Sequence, residues 1–285
     1  MQSTVTAIID DLSNVIFGKQ KQIKLALTCL FSQGHLLIED LPGMGKTTLS
    51  HGLATVLGLS YQRIQFTSDL LPADILGTNV FNSNEHSFTF HKGPIFSQVV
   101  LADEINRAGP KTQSALLEAM EEQQVTVDGK KYNLPDPFFV IATQNPLYQS
   151  GTYPLPESQL DRFMMRISLG FPTKEAEKRL ILNLQKRDYS QLPKRIDEQQ
   201  LKQIQTQING VTLSIPIVHY IIELVNFTRN SHSFAASLSP RASIALAKAA
   251  KSWAYIDGRD FVIPEDVQAV FSSVCLHRLG LHSDS

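Results

Sequence analysis

A short glycine-containing loop between a strand pattern and a helix pattern constrains the fold of this chain more than any other feature. An apolar run at residues 35–39 leads into Asp40-Leu41-Pro42-Gly43-Met44-Gly45-Lys46-Thr47-Thr48, and a helical pattern follows at residues 47–57. Gly43 and Gly45 let the backbone bend so that successive N–H groups point into one concavity. The amino terminus of the helix adds further N–H donors and a positive dipole end. The order of strand, loop and helix therefore predicts a phosphate-binding loop (P-loop) in an α/β fold.

The residue types in this loop suit a nucleoside triphosphate with its magnesium ion. The residues predicted to bind the nucleotide are Pro42, Gly43, Met44, Gly45, Lys46, Thr47 and Thr48. Lys46 is expected to contact the β- and γ-phosphates, and the hydroxyl of Thr47 is expected to bind Mg²⁺. The full G-x-x-x-x-G-K-[ST] pattern has its first glycine at position 40, where this chain has Asp40. A carboxylate beside phosphates repels them unless it points away, so the effect of Asp40 on nucleotide binding stays open.

Two acidic residues follow the apolar run at residues 97–102. Asp103 is expected to hold the Mg²⁺ shell through water, and Glu104 to orient and polarise the attacking water as general base. Two acids at such a place are usually a solvated strand end, but the P-loop upstream favours the catalytic role. A further apolar run at residues 138–142 ends in Thr143-Gln144-Asn145-Pro146. Asn145 could position the water, contact the γ-phosphate or simply begin a turn.

The apolar runs of the chain predict one parallel sheet. Its five strands are expected at residues 35–39, 61–66, 97–102, 138–142 and 163–169. Helical patterns lie between several strands, which favours a sheet covered on both faces. Segments with alternating apolar residues predict two short hairpins, at residues 79–91 and 124–132. A further helical pattern at residues 6–31 is broken at Phe17-Gly18.

The pattern of apolar residues changes after Pro172. Residues 173–282 show helical spacing without a convincing buried strand, and most apolar residues lie at 180–184, 218–225 and 242–254. We therefore predict two domains. Residues 1–172 form an α/β nucleotide-binding core with the two hairpins inserted in it, and residues 173–285 form a helical domain.

Charge and cysteine content narrow the functional class. The 26 basic and 27 acidic residues nearly cancel, so no strong overall field favours nucleic acid or an anionic membrane. Cys29 and Cys275 are far apart and lack the spacing of a zinc site, which fits a reducing compartment. No apolar run approaches the about 20 residues that span a bilayer, and residues 1–11 do not resemble a secretory signal. We expect a cytoplasmic protein.

The order of these features resembles the AAA+ superfamily of ATPases and, within it, the MoxR family. The resemblance covers nearly the whole chain. It rests on the motifs LLIEDLPGMGKT at residues 36–47, LADEINRA at 101–108, LLEAMEE at 116–122, ATQNP at 142–146, LPESQLDRF at 155–163 and LSPRA at 238–242. This resemblance implies an αβα sandwich with a five-stranded parallel sheet, followed by a small all-α lid domain.

The resemblance also implies roles for residues outside the P-loop. Asn145 looks like the sensor-1 residue, and Arg162 looks like the arginine finger that reaches the ATP of a neighbouring protomer, with Arg166 as a rival for that role. Arg241 looks like sensor 2, carried by the lid to the nucleotide. A guanidinium suits these roles because it stabilises charge spread over phosphate oxygens. Gly18 belongs to a segment, Ile16-Phe17-Gly18, that resembles the one packed against adenine, although the sequence favours a core position for Phe17.

By the same resemblance, the protein is an ATPase that forms a ring, with a hexamer as the expected form, and remodels, matures or activates a partner protein complex. The expected partner carries a von Willebrand factor A domain. The two predicted hairpins match insertions that lie where a central pore or a partner could be contacted. Three alternatives stay open: a motor acting on DNA or RNA, a chelatase-type motor subunit, and a nucleotide-binding scaffold without turnover.

Overall fold

A five-stranded parallel sheet forms the centre of the structure, a computed structural model that describes residues 2–84, 86–145, 151–182, 192–231 and 234–279. In chain order the strands are β1 (Leu36–Glu39), β2 (Tyr61–Gln65), β3 (Gly77–Asn82), β4 (Ser87–Lys92), β5 (Val99–Asp103), β6 (Gln124–Val127), β7 (Lys130–Asn133), β8 (Phe139–Gln144) and β9 (Met165–Ile167). The central sheet has the order β2-β5-β8-β1-β9, with all neighbouring strands parallel. The predicted sheet is confirmed.

Helices cover this sheet. They are α1 (Gln2–Val15), α2 (Gln20–Phe31), α3 (Lys46–Val56), α4 (Pro72–Leu76), α5 (Pro110–Glu122), α6 (Glu157–Leu160), α7 (Lys174–Leu182), α8 (Glu198–Asn209), α9 (Ile215–Asn230), α10 (Pro240–Ile256) and α11 (Pro264–Leu279). The break between α1 and α2 contains Gly18, whose φ of 71° is left-handed. The start of α8 is fixed by a capping box, in which Asp197 accepts from the Gln200 N–H at 2.8 Å.

The two faces of the sheet belong to two apolar clusters because successive strand residues point to opposite sides. Leu36 and Ile38 of β1 pack with α1, α2, α3 and residues of α8 to α11. Leu37 faces the other side and packs with α4 and α5. The helices after β9 thus share the core on one face of the sheet. The predicted domain boundary at Pro172 stays a prediction.

Both predicted hairpins are present as antiparallel pairs, β3 with β4 and β6 with β7. They contact each other, since Phe90 stacks on Tyr132 with ring centroids 4.0 Å apart. On the first hairpin Phe81 and Phe88 form a cross-strand ring pair, and their exposed fractions are 51% and 70%. Glu85 in the predicted turn of this hairpin lies outside the described residues, as do Pro146, residues 183–184 of a predicted helix, and residues 280–285.

No helix within the described ranges is long and apolar enough to cross a membrane.

Candidate nucleotide-binding site

The predicted P-loop forms an open turn between β1 and α3. Gly43 and Gly45 have φ of 83° and 94°, a left-handed backbone conformation that residues other than glycine rarely adopt. A Cβ atom added to either would meet nothing within 4 Å, so the protein does not crowd these two positions. Gly45 immediately precedes α3, and Thr47 is exposed in its first turn. The N–H groups of this first turn lack partners within the helix, so they can bind an anion.

Lys46 is held at the floor of this turn by two acceptors. Its Nζ donates to the carbonyl of Asp40 at 2.7 Å and to Oδ1 of Asn145 at 3.0 Å. Burial lowers the pKa of Lys46, and the nearby charges of Asp103, Asp40 and Glu104 oppose that effect. The loop therefore holds its ammonium group among acidic side chains from the ends of β1 and β5.

Asp40 turns its carboxylate away from the inner side of the loop. The carboxylate accepts from Ser168 Oγ at 2.8 Å, from the Gly170 N–H at 3.2 Å and from the Leu169 N–H, all in the segment after β9. The residue is only 7% exposed. Three donors neutralise part of the charge and fix its direction. The carboxylate is thus directed at residues 168–170, and the effect of Asp40 on nucleotide binding stays open.

The acidic pair at the end of β5 is linked to the end of β8. Thr143 Oγ1 donates to Asp103 Oδ1 at 2.5 Å and accepts from the Glu104 N–H at 2.9 Å. Glu104 has a left-handed φ of 57°, which is uncommon for a residue other than glycine. Its Oε1 accepts from Asn145 Nδ2 at 3.2 Å. Asn145 thus bridges Glu104 and Lys46, which the spacing in the sequence does not reveal.

Three further polar residues that sequence reasoning missed contact the acidic pair. Arg63 in β2 donates to Asp103 Oδ2, with Nη2 at 2.6 Å and Nε at 3.1 Å. Gln65 Nε2 lies 3.0 Å and Arg107 Nη1 lies 2.8 Å from Glu104 Oε2. A signal for Arg63 and Gln65 was present in β2, which contains three polar residues, Gln62, Arg63 and Gln65, although it was predicted as a buried strand. Its meaning depends on the pairing of β2 with β5, which places Gln65 beside Asp103.

The structure brings the predicted arginine finger and sensor 2 together, on one carboxylate. Arg162 Nη2 lies 3.1 Å from Glu121 Oε2, and Arg241 Nη2 lies 2.7 Å from Glu121 Oε1. The hydrogen bond from Arg241 lowers the pKa of Glu121, and Glu121 in turn raises the pKa of Arg241. Both arginines line a cavity of about 190 Å³ together with His35.

These arginines and the P-loop lie at opposite ends of β1. His35 precedes β1, and its carbonyl accepts from the Met164 N–H at 2.9 Å, whereas Lys46 follows the strand. The four residues of β1 span roughly 10 Å. The arginine pair of one chain is therefore at the end of the sheet away from its own P-loop. The roles of Arg162 and Arg241 at a nucleotide stay predictions.

Arg166 and Gly18 have different surroundings. Arg166 lies in β9 and pairs with Glu39 at 3.0 Å, beside a cavity of about 630 Å³ between α2, β9 and α11. This cavity also borders Asp40. Gly18 packs against the start of α7, where an added Cβ would lie 3.4 Å from Ala176 Cβ. The predicted contact of Gly18 with adenine stays a prediction.

Comparison with known proteins gives concordant results. Residues 35–165 match the family model for ATPases associated with various cellular activities (AAA), and residues 226–284 match the AAA lid domain. The chain is 44% identical over 279 residues to the uncharacterized protein YeaC of Bacillus subtilis, covering 97% of this chain and 87% of that one. It is 38% identical to the chaperone MoxR1 of Mycobacterium tuberculosis, covering 99% of this chain and 77% of that one. The crystal structure of a proposed ATPase from Cytophaga hutchinsonii is 40% identical, with a TM-score of 0.90 over 99% of this chain and 89% of that one.

Proposed function

Since this chain belongs to the MoxR family of AAA+ ATPases and is an ATP-hydrolysing enzyme, we propose that its copies form a ring with active sites shared between neighbours. In each site the P-loop of one protomer binds ATP, and Arg162 and Arg241 of the next protomer complete the site. The observation that carries this proposal is the position of both arginines at the end of β1 opposite Lys46. A ring of head-to-tail contacts brings these two ends together.

ATP binding would use the P-loop N–H groups and Lys46. In the structure Lys46 donates to the carbonyl of Asp40 and to Asn145, and on binding ATP it would exchange these acceptors for phosphate oxygens. The hydroxyl of Thr47 and the carboxylate of Asp103 are oxygen donors of the kind that suit Mg²⁺, which usually takes few protein ligands alongside substrate phosphates. When bound, Mg²⁺ would neutralise charge on the β- and γ-phosphate oxygens.

Hydrolysis would depend on Glu104 and its neighbours. Glu104 would accept a proton from the attacking water, and Asn145 and Gln65 hold its two carboxylate oxygens at 3.2 Å and 3.0 Å. Arg107 and Gln65 both donate to one oxygen of Glu104. Arg162 from the neighbour would exchange Glu121 for the γ-phosphate, where a guanidinium stabilises charge that develops during transfer.

The released energy would drive remodelling of a partner protein complex in the cytoplasm. A relative named as a chaperone supports a chaperone-like role. The hexameric state and a partner with a von Willebrand factor A domain rest on family resemblance. The exposed Phe81 and Phe88 on the first hairpin offer an apolar surface for such a partner.

A comparison of ATPase rates tests the shared site. We expect the specific activity of the wild type to rise with protein concentration, because the site is complete only in the assembly. Arg162→Ala should bind ATP with wild-type affinity and hydrolyse it on the order of 10³-fold more slowly, the lower end of known arginine-finger effects. Arg166→Ala, the matched control and the rival finger, should retain most activity.

The opposite pattern would reject the proposal. If specific activity does not depend on concentration and Arg162→Ala behaves as the wild type, each chain holds a complete site. If Arg166→Ala rather than Arg162→Ala abolishes hydrolysis with ATP binding intact, the finger is Arg166.

A further inference from the structure

A buried arginine at the end of α11 makes a complete set of hydrogen bonds. The side chain of Arg278 is only 5% exposed. Its Nε donates to Asp161 Oδ1 at 2.7 Å, its Nη2 to the carbonyls of Phe163 and Asp161 at 2.8 Å and 3.3 Å, and its Nη1 to Met164 O at 3.1 Å and to Val274 O. A guanidinium has five N–H donors, so each has an acceptor here. A buried charge is tolerated when it is satisfied in this way.

The acceptors enclose the residue predicted to be the arginine finger. Three of them are the carbonyls of Asp161, Phe163 and Met164, directly before and after Arg162. His277 Nε2 also lies 3.0 Å from the Phe163 carbonyl. This segment is a turn between α6 and β9, and its backbone N–H groups bond to carbonyls of α6 and to the carbonyl of His35. Its carbonyls bond to the lid helix α11 instead, so α11 helps to fix the turn that carries Arg162.

The arginines of this region differ in what they can reach. The exposed fractions of the side chains are 27% for Arg162 and 54% for Arg241, against 5% for Arg278. Arg278 faces backbone carbonyls inside the chain and cannot touch a nucleotide of a neighbour. Asp161, its carboxylate partner, also lies 3.7 Å from Arg241 Nη1. Arg278 thus connects the lid to both exposed arginines without lying in the shared site.

We propose that Arg278 is a positioning residue for the arginine finger: it locks the turn at residues 161–164 to α11 so that Arg162 points out toward the neighbour's ATP. The inference rests on the shared site proposed above. It adds that the position of the lid in one protomer controls hydrolysis in the next. Loss of Arg278 should therefore damage the finger that a subunit supplies and spare the P-loop that it contains.

Subunit mixing tests this division. The first subunit is Arg278→Met, which keeps an unbranched side chain and removes all five donors. The second is Lys46→Ala, which lacks the P-loop ammonium and keeps an intact finger. Alone, Arg278→Met should bind ATP within about threefold of the wild type and hydrolyse it about 10²-fold more slowly, as expected for a misplaced catalytic group. An equal mixture should regain about one quarter of wild-type activity, the share of interfaces with an intact P-loop facing an intact finger in a randomly mixed ring.

Three controls make the outcomes distinct. Arg259→Met removes another lid arginine, one that pairs with the buried Asp266 far from the finger, and should hydrolyse ATP as the wild type does. Arg278→Lys keeps the charge, so it should fold even if the methionine variant does not. It has only three donors, so its rate of hydrolysis should fall at least about tenfold. Mixing with Lys46→Ala should rescue this loss. The mixture of Arg162→Ala with Lys46→Ala tests the shared site itself.

Two results would overturn the proposal. One is wild-type hydrolysis by Arg278→Lys and Arg278→Met. The other is a folded, ATP-binding Arg278 variant that Lys46→Ala fails to rescue although the same partner rescues Arg162→Ala. If Arg162→Ala is not rescued either, the shared site is refuted, and the positioning role that depends on it falls with it.

Discussion

Replacing Asp40 by glycine restores the full consensus of the P-loop, yet we expect the variant to be less stable and to bind ATP no more tightly. The carboxylate of Asp40 accepts hydrogen bonds from Ser168, Leu169 and Gly170 and is 7% exposed. It therefore acts on the segment after β9 and does not face the phosphates. Glycine would remove this link, and no repulsion of the nucleotide would be relieved.

The size of the effect follows from the donors left behind. Without the carboxylate, the N–H groups of the buried Leu169 and the partly buried Gly170 lose their acceptor. A buried unpaired group costs about 1–3 kcal/mol, and a partly buried one costs less because water can reach it. Water can enter the vacated volume, so we expect a total of about 2–4 kcal/mol, or a fall in Tm of about 3–7 °C for a chain of this size. Asp40→Asn keeps one acceptor oxygen and should cost roughly half as much.

Thermal unfolding without nucleotide and titration with a fluorescent ATP analogue measure the two quantities separately. Ser168→Ala is the matched control, because it removes one donor and leaves the carboxylate and both backbone N–H groups in place. A carboxylate facing phosphates at 4 Å would repel them by about 4 kcal/mol at an effective dielectric of 20. An unchanged Tm together with ATP binding at least about tenfold tighter in Asp40→Gly would refute our interpretation that Asp40 stabilises the segment after β9 and does not repel phosphates.

Two other predictions concern the catalytic base and the buried histidines. Glu104→Gln should bind ATP normally and hydrolyse it at least about 10²-fold more slowly, because an amide cannot accept the proton of water. ATPase assays check this, with Glu122→Gln as the control. Equal rates for the two variants would contradict the prediction. Burial lowers the pKa of His35 to about 4 and that of His277 to about 3, from an ordinary 6.5. At pH values between the pKa of each histidine in the folded chain and 6.5, the unfolded chain binds more protons than the folded chain. The free energy of unfolding should therefore fall by about 2 kcal/mol for each histidine from pH 7 to pH 5. Urea unfolding at both pH values measures this loss, and His277→Gln should remove about half of it; equal stability at both pH values would contradict the prediction.

The central strands could be located from the sequence because buried parallel strands appear as continuous apolar runs. Each of the five lies within two residues of its predicted start. The P-loop could be assigned for a similar reason, since its glycines and Lys46 have a fixed spacing. Helices α8 and α11 were not predicted as separate helices from the sequence. In α8 only Leu201, Ile204 and Ile208 carry the apolar spacing among many glutamines, and α11 is buried on most sides, which hides its periodicity.

The contacts that decide the chemistry could not be predicted because they depend on the register of neighbouring strands. Gln65 meets Glu104 only because β2 pairs with β5. The direction of Asp40 depends on the segment that follows β9, more than 120 residues away along the chain. In the sequence pattern Asp40 is a departure from the P-loop consensus. In the structure its carboxylate links the P-loop to the segment after β9.

The two buried links described above lie on either side of one short strand. Asp40 holds residues 168–170 directly after β9, and Arg278 holds residues 161–164 directly before it. β9 itself has only three residues, Met165–Ile167. A shift of the P-loop on ATP binding would therefore act on the same strand whose other end carries the finger. Arg162 forms a partly exposed ion pair with Glu121, and such pairs contribute only about 0–1 kcal/mol. Since that pair is weak and the two links are buried, we infer that the backbone around β9, more than the Glu121 pair, decides when the finger is in place for the neighbour.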